Sequence, residues 1–144
     1  RAYFARALAD SPFPVCYNGD LYTVPALEAF QAEFPAAERI MLGRGLAGDP
    51  ALARKAEGGP AAGREELRAF HDQVYEGYAG AFGSRRNAML RMKEVWFFLI
   101  HLFEGGERHD KKMRRLRTPG EYEAVEASIF QELPLRDHAA GAFR

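Results

Sequence analysis

The pattern of apolar and polar positions changes near the middle of the chain. In the first part, two short apolar runs, 13–17 and 40–42, are each followed by a polar turn that contains glycine, and then by a helical pattern that begins near a proline. Runs of this length predict buried parallel strands, and the patterns after them predict crossover helices. Cys16 falls inside the first predicted strand, where we expect a small buried residue.

Beyond residue 63 the apolar spacing is helical throughout. Segments 65–82 and 85–103 predict two long helices, and Thr118-Pro119-Gly120-Glu121 is a capping box that opens a last one. On the second long helix the large apolar side chains share a stripe about 100° wide, and they are Met89, Met92, Trp96, Leu99, Ile100 and Phe103. This stripe predicts the central helix of a helical bundle.

Together these patterns predict an α/β part followed by an all-α part. The predicted limits are two β/α units over 1–57, a glycine-rich linker over 58–63, a helical domain over 64–133 and a tail over 134–144. Two parallel strands do not make a stable sheet alone. We therefore expect the first part to belong to a larger open α/β sheet or β/α barrel, with its open strand edge covered by a partner or by self-association.

Composition excludes several classes of protein. Hydrophobic residues make up 47% of the chain, which is enough for a core and argues against disorder. A single cysteine excludes an internal disulfide and a cysteine metal cluster, and the four histidines show no ligand spacing, so no metal site is expected. No apolar run reaches the roughly 18 residues of a membrane helix, and no signal peptide is visible, so we expect a cytoplasmic protein without membrane contact.

Charge is distributed unevenly along a chain whose net charge is zero. Residues 85–117 hold 10 basic and 4 acidic side chains. An excess of this size inside a neutral protein indicates an anionic partner. On charge alone, a solvated helix face remains the alternative.

The turns after the two predicted strands favour a phosphate site. Gly19, Gly43 and Gly45 have no Cβ, so their backbone amides can approach a ligand closely. Arg44 carries a permanent charge suited to phosphate, and the helix expected from Leu46 presents its N-terminus to an anion. Both turns follow the carboxyl ends of strands, where α/β proteins bind ligands. Two ordinary tight turns with a surface arginine are the alternative.

Three segments of the chain resemble the tRNA-dihydrouridine synthase family. They are Asn18-Gly19-Asp20, Met41-Leu42-Gly43-Arg44-Gly45 and the helical stretch 87–96. The resemblance covers about residues 10–132. It implies the C-terminal fragment of a flavin-dependent β/α (TIM-like) barrel, namely its last two β/α units, followed by a helical bundle domain that faces tRNA.

The resemblance also implies chemistry for the full enzyme. NADPH would reduce FMN, and the reduced flavin would convert a uridine of tRNA to dihydrouridine. The family's catalytic cysteine belongs to a loop earlier in the barrel, and Cys16 does not match it, so we expect no catalytic residue in this chain and no activity of the chain alone. The FMN phosphate would be held by Asn18, Gly19, Asp20, Gly43, Arg44 and Gly45.

For the basic segment, the resemblance favours RNA binding over a merely solvated face. Arg91 and Lys93 lie within the matching helical stretch. The residues expected to bind RNA are Arg86, Arg91, Lys93, Lys111, Lys112, Arg114 and Arg115. Two other hypotheses stay open: a free-standing helical RNA-binding module without catalysis, and another FMN-dependent β/α-barrel oxidoreductase that acts on a small molecule.

Overall fold

The computed structural model describes residues 1–137 and residue 139. This part of the chain is mostly helical and contains a two-stranded parallel sheet. A single 3₁₀ turn (Ile100–Leu102) follows the sixth helix. The elements in chain order are α1 (Ala2–Asp10), β1 (Cys16–Asn18), α2 (Val24–Glu33), β2 (Arg39–Met41), α3 (Gly43–Gly48), α4 (Leu52–Ala56), α5 (Arg64–Phe82), α6 (Arg85–Leu99), α7 (Glu107–Arg115) and α8 (Pro119–Glu132).

The sheet pairs β1 with β2 in parallel, with Tyr17 opposite Ile40. Both predicted strands and the crossover helix between them are confirmed. The first strand begins at residue 16 instead of 13, and the second spans 39–41 instead of 40–42. Pro14 explains the later start, because it has no N–H to donate to a ladder. The barrel to which we assign these strands stays a prediction.

Helices cover one face of the sheet. Tyr17 stacks on Phe30 of α2 with ring centroids 4.1 Å apart, and its ring meets Phe4 of α1 at 4.9 Å. The expectation that Cys16 is buried is wrong, because no element of the described chain covers the other face of the sheet. The exposed side chains there are Cys16, Asn18, Arg39 and Met41.

Both strands also have an open edge. Within the described residues each strand has one hydrogen-bonded neighbour, so its second edge is unpaired. An unpaired edge is a template for a further strand. Self-association or a partner at this edge therefore stays a prediction.

The α6 helix is the centre of the helical part. It packs against α3, α5, α7 and α8. All six apolar side chains of the predicted stripe are buried, which confirms the expected central helix. α6 follows α5 after a two-residue turn, in which Gly83 has a left-handed φ of 59° and Ser84 accepts a hydrogen bond from the Asn87 amide. Glycine adopts this backbone conformation without steric cost.

The central helix ends earlier than the pattern predicts. It stops at Leu99, and the chain continues through the 3₁₀ turn. Phe103 then forms an antiparallel bridge with Leu135, and the Arg136 amide donates to the Leu102 carbonyl at 2.8 Å. The Leu102 carbonyl is thus bonded to the segment around Leu135 and Arg136. It is therefore not available to continue the helix to residue 103.

The capping box at the start of α8 is confirmed. The Thr118 hydroxyl accepts from the Glu121 amide at 3.3 Å, and the Glu121 carboxylate accepts from the Thr118 amide at 3.2 Å. The Arg117 amide, which donates to the same carboxylate at 2.9 Å, and the Thr118 amide hold the pKa of Glu121 below its usual value. The side chains of Tyr122, Ile129 and Phe130 are buried, so this helix faces the core with the expected side.

The two parts of the chain contact each other across the predicted linker and also away from it. α3 packs against α6, and Tyr22 belongs to the apolar cluster of the helical part. Across the linker, the Arg54 guanidinium donates twice to the Glu66 carboxylate, at 2.7 and 2.9 Å. The division into domains stays a prediction. None of the described helices combines the length and the apolar character that crossing a bilayer requires.

Candidate functional site

The turns that follow β1 and β2 are neighbours at the carboxyl edge of the sheet. Arg44 in the second turn donates to the carboxylate of Asp20 in the first. The Tyr22 hydroxyl donates to the same carboxylate oxygen at 2.6 Å, and the Arg44 guanidinium lies 5.9 Å from the centre of the Tyr22 ring. Both charged side chains are more than half exposed. Asp20 therefore holds the arginine at the junction of the turns.

The helix behind the second turn begins at the glycine motif itself. The pattern predicts a helix from Leu46, but α3 starts at Gly43 and ends before Asp49-Pro50, where the proline disfavours a helical residue before it. No side chain of the described residues caps α3. Since amides in a first helical turn have no acceptor within the helix, those of Gly43 and Arg44 are available to an anion.

The three glycines of the motifs differ in their surroundings. At Gly43 a Cβ would meet no atom within 4 Å, so open space lies before the backbone. At Gly45 a Cβ would lie 2.5 Å from the carbonyl oxygen of Leu21, and at Gly19 it would collide with the Tyr17 ring. Close packing therefore accounts for the glycines at positions 19 and 45, whereas the space before Gly43 leaves room for a ligand.

Two of the side chains predicted to contact RNA have hydrogen-bond partners within the protein. Lys93 is half-buried, and its ammonium donates to the Leu116 carbonyl, just beyond the end of α7, at 2.5 Å. Arg91 donates to the Glu94 carboxylate at 3.1 Å and is exposed. This lysine connects α6 to the end of α7, so the two basic segments are neighbours.

Four cations share one arc of α7, opposite the buried Met113. Their side chains are exposed and have no hydrogen-bond or ion-pair partner within residues 1–137 and 139. Arg114 lies beside this arc and donates to Asp110 at 3.0 Å. Arg86 is likewise exposed, at the start of α6. We name the arc the α7 basic face, and it consists of Arg108, Lys111, Lys112 and Arg115.

A buried polar cluster between α5 and α8 is not among the sites predicted from the sequence. His71 is 1% exposed, and its Nε2 lies 2.5 Å from the Tyr122 hydroxyl. Trp96 donates to that hydroxyl at 3.0 Å, so the hydroxyl proton points to Nε2. The Nδ1 of His71 then carries a hydrogen and donates to Asp72 at 2.8 Å. Burial lowers the pKa of His71 and raises that of Tyr122.

Glu126 is the second buried ionisable group of this cluster. Its Oε1 lies 3.1 Å from Arg68 and 3.8 Å from His71 Nδ1, but it has no well-aligned hydrogen-bond donor within the described residues. Burial raises the pKa of Glu126 to about 7, against the opposing effect of Arg68. A cavity of about 370 Å³ lies against these groups.

A polar residue at a core position was the available signal for this cluster. His71 lies four residues after Leu67 and four before Tyr75, and all three are buried. Glu126 lies four residues after Tyr122 on the buried side of α8. Both polar residues therefore stand on apolar stripes. Their meeting is not visible in the sequence, because they belong to different helices.

No family model, no curated protein and no solved structure matches this chain. The resemblance to tRNA-dihydrouridine synthases therefore depends on the residues of the two glycine motifs and the α6 stretch. A function inferred from this resemblance is therefore a proposal.

Proposed function

We propose that this chain is the C-terminal portion of a flavin-dependent tRNA-dihydrouridine synthase, which reduces uridine in tRNA with electrons from NADPH. The contact between Arg44 and Asp20 is the observation that carries the proposal. It brings the two family-like turns together at the carboxyl edge of parallel strands, where ligands of α/β proteins bind. A tRNA substrate is consistent with the expected cytoplasmic location.

The first turn of α3 suits the phosphate of FMN. Gly43 offers open space and a free amide, and Arg44 offers charge-assisted hydrogen bonds. Asp20 is itself negative, so we assign it the task of orienting the arginine. Asn18 is exposed at the end of β1 and adds a neutral donor at the same edge. Gly19 and Gly45 shape the turns through packing.

The uncovered face of the sheet suits a pair of barrel strands. In a β/α barrel, alternate strand residues face the outer helices and the barrel interior. Tyr17 and Ile40 face the helices, so the exposed side chains of Cys16 and Met41 take the interior direction. When bound, FMN supplies the hydride that reduces the uridine.

The α7 basic face suits the phosphates of tRNA. Folded RNA is recognised largely through its backbone and shape, which unpaired cations on an exposed arc can contact. Arg86 and Arg91 extend the positive surface along α6. We assign Lys93 the task of positioning α7, because its ammonium is already bonded to a backbone carbonyl. Arg114, bonded to Asp110, contributes charge beside the face.

Comparing FMN with riboflavin, which lacks the phosphate, tests the phosphate site. We expect the chain to quench FMN fluorescence at lower concentration than riboflavin fluorescence, and Arg44→Gln to abolish this preference. Arg39→Gln is the matched control, because it removes the same charge from the opposite end of β2. A preference that survives Arg44→Gln would contradict the assignment.

Salt dependence of tRNA binding tests the basic face. We expect the triple variant K111Q/K112Q/R115Q to bind tRNA more weakly and to lose up to about three units of the slope of log K against log salt, about one per phosphate contact. Arg6→Gln on α1 is the control, since it removes an exposed positive charge from a helix outside the α7 basic face. An unchanged slope in the triple variant would exclude the α7 basic face.

A free-standing RNA-binding module without catalysis is the second candidate. The α7 basic face favours it, because that surface needs no flavin to bind RNA. This candidate predicts the same salt-dependent tRNA binding, with no affinity for FMN in the chain or in a longer form of it. Flavin binding therefore separates the two proposals.

A further inference from the structure

We propose that His71, Asp72 and Glu126 bind a divalent transition-metal ion, for which Zn²⁺ is the best probe, between α5 and α8. The site lies outside both surfaces of the proposed function. One potential ligand atom from each residue lies within 4.8 Å of the others. His71 Nδ1 is 2.8 Å from Asp72 Oδ1 and 3.8 Å from Glu126 Oε1. Ligands of one zinc ion, each about 2 Å from the metal, stand roughly 3–4 Å apart.

The buried Oε1 of Glu126 is an independent indication of a cation site, because Arg68, 3.1 Å away, makes no aligned hydrogen bond to it. The side chain is 5% exposed and lines the cavity beside His71. Its Oε1 has no hydrogen-bond partner within the described residues. An oxygen buried in this way costs free energy unless something compensates it. A metal ion in the cavity would provide that compensation.

The arginines near the cluster do not neutralise all of its carboxylate charge. Arg68 lies 3.4 Å from Asp72 Oδ2 and 3.1 Å from Glu126 Oε1, so one guanidinium serves two carboxylates. The other arginine on the cavity wall, Arg85, is paired with two different carboxylates. With His71 neutral and Glu126 ionised, the cluster carries one negative charge in excess.

The donor set selects the class of metal. One imidazole nitrogen with two carboxylate oxygens suits Zn²⁺ or Mn²⁺, whereas Mg²⁺ and Ca²⁺ prefer oxygen ligands alone. Zn²⁺ binds such sites more strongly than Mn²⁺. Three protein ligands beside a cavity of about 370 Å³ also leave a coordination position for water or a small ligand.

The neighbours of His71 are placed to support a metal on Nδ1. The ion would take the place of the Nδ1 hydrogen, the ring would carry its hydrogen on Nε2 and donate it to the Tyr122 oxygen 2.5 Å away, and the Tyr122 hydroxyl hydrogen would rotate away from the ring. Such outer hydrogen bonds fix the orientation of a ligating imidazole. Trp96 donates to the same hydroxyl and is the one tryptophan of the chain. Its fluorescence should therefore report binding at this site.

The test is a Zn²⁺ titration of the full 144-residue chain, followed by calorimetry and by Trp96 fluorescence. We expect one ion per chain in the fluorescence titration and an affinity reduced about tenfold or more in Asp72→Asn and in Glu126→Gln. Glu76→Gln is the matched control, because it removes one carboxylate charge from the same cavity wall without touching the three ligands. Its affinity should stay within about twofold of the wild type.

Two results would overturn the site. One is the absence of a saturable fluorescence change with Zn²⁺. The other is an equal loss of affinity in Glu76→Gln and Asp72→Asn, which would indicate a diffuse charge effect. Asp72 is half exposed, so its variant remains informative if the Glu126 variant folds poorly, and circular dichroism establishes folding for each. Calorimetric heat without a Trp96 signal is a form of the first result, and it would place the zinc elsewhere in the chain.

Discussion

The sheet region, residues 1–57, and the helical region, residues 64–133, bury their apolar side chains differently. In the helical region, side chains from α5, α6 and α8 surround Trp96, which is 1% exposed. In the sheet region a smaller cluster surrounds Phe30 on one side of the sheet, and the other side is uncovered. The helical core includes Tyr22 of the sheet region. We infer that the sheet region, by contrast, depends on what covers its open face.

The two regions also place similar ion pairs in opposite surroundings. Arg44 and Asp20 are both more than half exposed, so water screens the pair and a ligand anion can compete for the arginine. Glu126 is 5% exposed beside Arg68, so its charge is costly unless it is well compensated. The exposed pair is thus suited to an anion, and the buried cluster to a cation.

Truncating the core of each region should give the largest effect. Trp96→Ala should lower the free energy of unfolding of the helical region by about 3–5 kcal/mol, because it empties the centre of the core. Phe30→Ala should open the sheet region and leave α5 and α6 protected. Amide hydrogen exchange followed by NMR distinguishes the two. Equal loss of protection in α2 and α6 for Phe30→Ala would show that the regions unfold as one unit.

The buried carboxylate should give the next largest effect. The folded-state pKa of Glu126 is raised to about 7, so its contribution to stability is present at low pH and is lost as the pH rises from about 4.5 through 7. Glu126→Gln should remove this loss and raise stability at pH near 8 by about 2–3 kcal/mol. Urea unfolding with a chelator present, measured across this range, checks the expectation.

His71 provides an internal control for that experiment. Its folded-state pKa is lowered by burial, so its contribution is present above about pH 6.5 and is lost as the pH falls further. In Glu126→Gln, stability should therefore decrease on acidification below that value. A variant that keeps the wild-type pH profile would show that Glu126 does not titrate as described.

Two glycines of the phosphate motif should respond in opposite ways. Gly45→Ala places a Cβ 2.5 Å from the Leu21 carbonyl oxygen, which can move away only if the backbone shifts. We therefore expect this variant to destabilise the sheet region by about 1–3 kcal/mol. Gly43→Ala meets open space and should leave stability nearly unchanged while weakening FMN binding. Thermal unfolding and the FMN titration check both. Equal stability of the two variants would be incompatible with the packing at Gly45.

Helix caps give the smallest expected effects, and each region contains a threonine cap that can be removed. Thr118→Ala removes the capping box of α8 and should cost about 1 kcal/mol of global stability. Thr23→Ala removes the acceptor of the Ala26 amide and should cost a similar amount, seen only as faster amide exchange in α2. If the second substitution also shifts the Trp96 unfolding transition, the regions are more tightly coupled than their cores indicate.

Local signals predicted much of the fold. The stripe around Trp96 predicted the central helix, and Thr118 with Glu121 predicted the start of α8, because periodicity and caps depend on neighbours within one or two turns. The strand limits were less accurate because Pro14 removes a donor from the expected ladder. The exposure of Cys16 was not predictable, because it depends on whether a second layer covers the sheet.

Local sequence patterns specify the order and type of the elements, the two glycine turns and the basic character of α7. Only packing settles which charges have a partner within the protein: Arg44 pairs with Asp20, and Lys93 donates to a carbonyl beyond α7. It also alone brought His71 against Glu126, because two helices must pack before residues far apart in the chain share a cavity. Spacing along a helix is local physics, but compensation of a buried charge is settled by packing.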